Sequence, residues 1–159
     1  MKMFNDLVHK SRAEPLVPVR EQMQGTFEIR KSDDDRMQAF GWANVAFSED
    51  GSQISDFQKD MIDAEDLENA SYEFVKYYRD GSEMHQQHGV ATLIESMFFS
   101  KEKQSALGIP EGTMPEGWWV GFQVTDPDVW GKIKDGTYKM FSIEGTADRV
   151  PVPEEGGDL

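Results

Sequence analysis

The chain has 159 residues, with 30 acidic against 16 basic side chains and a net charge of −14, which argues against a nucleic-acid partner because gripping a phosphate backbone needs clustered Lys and Arg. It has no cysteine, which excludes disulfides, thiol catalysis and cysteine-ligated zinc and fits a reducing cytoplasm. No apolar run approaches a bilayer span and Met1–Asp6 lacks the apolar stretch of a signal peptide, so a soluble intracellular protein with no membrane partner is expected.

Residues 1–24 mix charge with Pro15, Pro18 and scattered aliphatics and read as a flexible N-terminal arm. One domain is expected over 25–150, with its apolar mass concentrated in ten Phe, four Tyr and four Trp. An acidic tail follows over 151–159. Thr26–Lys31 alternates as a strand does, and Ser32–Asp35 is an acidic turn without the ligand spacing of a calcium loop. Met37–Phe47 is a second strand in which Gly41 marks a bulge or a close backbone approach; the two strands should form a hairpin. Ser48–Gln58 is polar, with a turn at Glu49–Gly51.

Asp63 is a good N-cap for a helix whose Leu67, Ala70, Phe74 and Tyr78 make one apolar face, ended by Asp80 and Gly81. Gly89–Phe99 is a long strand. Lys101–Gly117, with Pro110, Pro115 and three glycines, reads as a loop, and Trp118–Thr125 as another strand. Asp126 and Pro127 open a short helix carrying Val129, Trp130 and Ile133. Tyr138–Ala147 closes the ordered part as a strand. This order predicts an α+β fold, a small, mostly antiparallel β-barrel or sheet flanked by helices.

In that last strand Tyr138, Met140, Ser142 and Glu144 share one face. A lone strand serine is usually structural. To be a nucleophile it needs a base, and a neutral imidazole is the usual one near pH 7. The chain holds only His9, His85 and His88. His9 lies in the arm. His85 stands just ahead of the Gly89–Phe99 strand, and His88, beside Gly89, serves equally as a solvated surface residue. A His-x-x-His pair with nearby carboxylates but no third ligand cluster is a weak metal signal. The Gly-x-Ser-x-Gly elbow fails at Met140 and no Gly-rich phosphate loop occurs, so no cofactor is expected.

Phe40–Ala46, the Asp63–Tyr78 helix, Met84-His85, Thr92–Ser96, Gly117–Phe122, Trp130–Gly136 and Phe141–Gly145 follow one another in an order that resembles the XkdF-like phage serine proteases. That group is related to the prohead (capsid maturation) proteases of tailed phages and to herpesvirus assemblin. The resemblance runs from Phe27 to Val150 and implies a β-barrel whose catalytic serine lies on a strand. It places the serine at Ser142 and the histidine at His85, with His88 as the alternative. A third member is less clear: Glu144, roughly 6.5–7 Å along the strand from Ser142, and Glu95 rank above Asp148, Glu154, Glu155 and Asp158. The implied function is a serine endopeptidase that trims scaffold and major capsid protein extensions inside proheads in the host cytoplasm, as a homodimer by analogy with assemblin. The alternatives are a catalytically inactive capsid-assembly module of the same fold and, third, a metal-binding protein using His85 and His88.

Overall fold

The computed structural model describes residues 19–21, 29–55, 60–83 and 87–138. Its strands are β1 (Val19–Glu21), β2 (Ile29–Asp33), β3 (Gln38–Phe47), β4 (Gln53–Ser55), β5 (Asp80–Glu83), β6 (Gln87–Phe99) and β7 (Glu116–Val124); its helices are α1 (Ala64–Tyr77), α2 (Lys101–Ala106) and α3 (Pro127–Lys134). One sheet runs in the order β1-β4-β3-β7-β6-β5, and β2 also pairs with β3. Every pairing is antiparallel except β1 with β4.

The mixed α+β class and the predicted hairpin of β2 with β3 are therefore present. A closed barrel is not: among the described residues β1 and β5 stand at opposite ends of an open sheet. The expected last strand lies outside the described residues beyond Tyr138.

β7 is the centre because its sequence, Glu-Gly-Trp-Trp-Val-Gly-Phe-Gln-Val, is apolar on both faces. Trp118, Val120, Phe122 and Val124 alternate onto the face that carries the helices. There Leu67 and Phe74 of α1 pack with Ala43, Ala46, Phe98, Trp118 and Val120, and the Phe74 ring meets Trp118 edge-on at 5.4 Å. Val129 and Trp130 of α3 pack with Ala39, Val90, Ala91 and Val124. Phe122 borders both clusters. On the other face Trp42, Val45 and Ile54 gather Phe99, Met114 and Trp119. Strands β3 and β7 approach so closely at Gly117 that a methyl group there would lie 2.6 Å from the Asn44 carbonyl oxygen; only glycine fits without separating them.

Three local expectations change. The first helix ends at Tyr77, where Arg79 adopts a left-handed φ of 53° and the Tyr78 and Arg79 N–H groups donate to the Phe74 carbonyl; Asp80 and Gly81 instead begin β5. The Lys101–Gly117 loop contains α2, because the Ser100 hydroxyl caps it by accepting from the Lys103 N–H. The polar segment after Phe47 holds β4, whose Gln53 pairs with Phe47 of β3. By contrast α3 starts as its sequence indicates, with the Asp126 carboxylate accepting from the Asp128 and Val129 N–H groups. Of the stretch expected to be an arm, Val19–Glu21 run alongside β4.

Helices α1 and α2 are braced by Lys103, whose Nζ donates to the Glu68 carboxylate, to the Tyr72 hydroxyl at 2.6 Å and to the Phe98 carbonyl at 3.2 Å. Burial raises the Glu68 carboxyl, but the bonds from Lys103 and Tyr72 outweigh it and hold it below its ordinary 4.5. Burial likewise lowers Lys103, and Glu68 and Tyr72 outweigh it to raise the ammonium above its ordinary 10.5. A depressed carboxyl contributes stability above its unfolded value and loses it as pH falls through the folded one. A raised ammonium contributes below its unfolded value and loses it as pH rises through the folded one. The brace therefore holds across neutral pH and fails at both extremes. Because it is partly exposed, Glu68→Gln is expected to lower Tm by only about 2 °C at neutral pH. In acid below both carboxyl values, mutant and parent should melt together, which paired calorimetric scans check.

Candidate active site

The entrance to β6 is built by a hairpin. Glu83 of β5 is the register partner of Gln87 of β6, and the connection between them carries His85, which lies outside the described residues, as do Ser142, Glu144, Asp148, Glu154, Glu155 and Asp158. The flanks of both the histidine and the serine stretch are described, and they set what the site can be.

On the histidine side the hairpin register shifts between Gly81 and Glu83. The extra residues of β6 are accommodated at Gly89, whose φ of 77° is left-handed. The Gly89 N–H donates to Asp80, 3.1 Å from Oδ1 and 3.2 Å from Oδ2. From the other side, the Thr125 hydroxyl donates to the Val90 carbonyl at 3.1 Å and reaches the Gly89 carbonyl at 3.3 Å, and the Thr125 N–H donates to Val90 at 2.9 Å. His88 is a surface imidazole, 70% exposed, with Nδ1 3.6 Å from Asp80 Oδ2.

On the serine side, the chain leaves α3 through Gly136, whose φ of 79° reverses it. Asp135 accepts from the Thr137 N–H at 2.8 Å; the Thr137 side-chain hydrogen bond first, and this backbone one second, hold its carboxyl below the ordinary range. The Tyr138 N–H donates to the Lys132 carbonyl at 2.9 Å, and its ring lies 5.5 Å from Lys132 Nζ and packs on the cluster formed by Val90, Ala91, Val129 and Trp130. So the residue from which the serine stretch continues rests on the same apolar cluster as the first turns of β6. A groove of about 330 Å³ between β2 and the end of α3 is lined by Ile29, Arg30, Lys31, Ser32, Ile133, Gly136 and Tyr138.

A family of phage proteins, described as "Putative phage serine protease XkdF", matches residues 26–151. The chain belongs to this family. No curated protein and no solved structure gives a significant match. The XkdF span takes in Ser142, His85, His88, Glu144, Glu95 and Asp148, and it stops before Glu154, Glu155 and Asp158.

Within this XkdF domain Glu95 lies on β6. It stands eight residues along the strand from Gln87, about 25 Å at the strand rise, pairs with Gly121 and is exposed. Among the described residues no group of three or more His, Asp or Glu side chains could hold a metal. Asp80 is the residue that sequence reasoning missed. As a helix terminator its carboxylate had no assigned partner; only the hairpin register, which brings it to Gly89 and His88, gives it one.

Proposed function

We propose that this chain is a phage serine endopeptidase in which Ser142 is the nucleophile and His85 its base. Ser142 Oγ attacks the peptide carbonyl as His85 takes its proton; the imidazolium then gives that proton to the leaving amine, and water, activated by the same imidazole, releases the acyl group. Backbone N–H groups stabilise the oxyanion in such a reaction. Glu144, two residues from Ser142 in the sequence, and Glu95 are the carboxylates assigned to orienting the imidazole. The observation that carries the reading is the XkdF match, which spans both stretches while their flanks, Val90 and Tyr138, share one cluster.

The substrates in this proposal are the extensions of scaffold and major capsid proteins inside an assembling prohead, following the likeness to prohead proteases and assemblin, with a homodimer as the working unit. The protein incubated with those two partners should shorten them, and Ser142→Ala should leave them whole. Equal shortening by both proteins would remove Ser142 from the mechanism. Intact partners with both would favour the second reading, an inactive assembly module, to which the net charge of −14 gives a surface suited to basic partners.

A further inference from the structure

The groove between β2 and the end of α3 is an electrostatic exception in this molecule. The chain carries 30 acidic side chains against 16 basic ones, yet the described residues that line the groove include two cations, Arg30 and Lys31, and no acid. A bulge brings the pair there. Ile29 pairs with Gly41 and Lys31 with Phe40, so Arg30 is the extra residue of β2. An extra residue breaks the strict alternation of faces and lets consecutive residues border one cleft. A third cation adjoins, because Lys132 Nζ lies 5.5 Å from the ring of Tyr138, which lines the groove from the α3 side. Of the acids next along the chain, Asp33 faces Arg36 at 3.8 Å, Asp34 faces Lys134 at 3.6 Å, and Asp135 accepts from the Thr137 N–H. Ile29, Ile133 and Tyr138 add half-buried apolar walls.

We infer that this groove docks a short, extended acidic segment of a partner protein. The carboxylates of that segment meet Arg30 and Lys31, and its apolar side chains lie against Ile29, Ile133 and Tyr138. The size agrees: about 330 Å³ stands at the lower end of ligand pockets, roughly 300–1,000 Å³. The wall formed by Ile29–Ser32 runs for roughly 10 Å, room for about three or four residues of extended chain. A free phosphate or sulfate would leave the apolar walls unused. A nucleic acid would run past the groove onto the surface of a chain whose net charge is −14. A short acidic segment escapes that repulsion, since exposed charges more than about 8–10 Å away are largely screened and the local cations dominate. Docking of this kind calls on no reacting group, so it stands apart from the proteolytic reading above.

The test is fluorescence anisotropy of a labelled Glu-Val-Glu-Val-Glu-Val peptide titrated with the full chain, beside counterparts carrying Gln or Lys in place of Glu. The parent is expected to bind the acidic peptide at least about tenfold more tightly than the neutral one, and to weaken severalfold between roughly 0.05 and 0.5 M salt. Arg30→Glu combined with Lys31→Glu should lose about tenfold or more, and the milder Arg30→Gln with Lys31→Gln should fall between. Melting curves of both double variants show that they remain folded. A parent that binds no acidic peptide, or binds the neutral one as well, overturns the inference. So does undiminished binding by the charge-reversed variant. Equal affinity for a single-stranded oligonucleotide, or displacement by inorganic phosphate at the peptide's own concentration, would make the groove a general anion site and likewise overturn it. Binding seen only when Glu154→Gln, Glu155→Gln and Asp158→Asn are combined in the full chain would give the groove to the chain's own acidic tail instead of a partner.

Discussion

Trp118→Ala is expected to destabilise the fold by about 3–5 kcal/mol, the range for emptying a buried tryptophan site. Trp118 is 2% exposed and packs among Leu67, Phe98 and Val120, with the Phe74 ring against it. Its indole N–H donates to the Ser96 hydroxyl at 2.9 Å, so truncation strands a polar group and opens a cavity together. Against a typical domain stability of roughly 5–15 kcal/mol this is a large share. Urea denaturation should show the midpoint falling with an unchanged slope. A loss below about 1 kcal/mol would mean that α1 does not seat on β7 as described.

His85→Gln is expected to lower kcat by roughly 10²–10⁴, the range attached to a positioned general base, with KM little changed. His88→Gln should stay within about threefold of the parent, since an imidazole 70% open to solvent neither packs nor holds the bend that Asp80 makes with Gly89. Glutamine preserves size and hydrogen bonding but cannot take up the serine's proton, so it separates the chemistry from the fold. Parallel progress curves for the two variants decide the matter. The opposite ranking would move the base to His88 and make Asp80 its orienting carboxylate.

The elements legible in advance were those whose signals are local. Asp126 before Pro127 announces the start of α3, and the aromatic run of β7 announces a strand buried on both faces. The closely spaced Leu67, Ala70 and Phe74 announce α1. What stayed hidden depends on distant partners. β4 is three residues, Gln-Ile-Ser, that become a strand only by lying between β1 and β3. α2 was masked by the prolines and glycines after it, although Ser100 is a readable cap. The candidate site is read only through the ordered family pattern, because a lone serine and two nearby histidines carry no periodicity of their own, and Ser142 and His85 lie outside the described residues. Asp80 could not be read at all without the register of β5 on β6.

The position of β7 along the polypeptide has a consequence for how the molecule comes into being. Each of the three apolar clusters includes a residue from Trp118–Val124, and these residues leave the ribosome only after β1–β6, α1 and α2. Until then β3 and β6 wait without the strand that lies between them, and the nascent chain has no finished interior to collapse onto. Ser142 follows β7 and α3, so the hydroxyl proposed as nucleophile emerges when the platform it needs can already assemble.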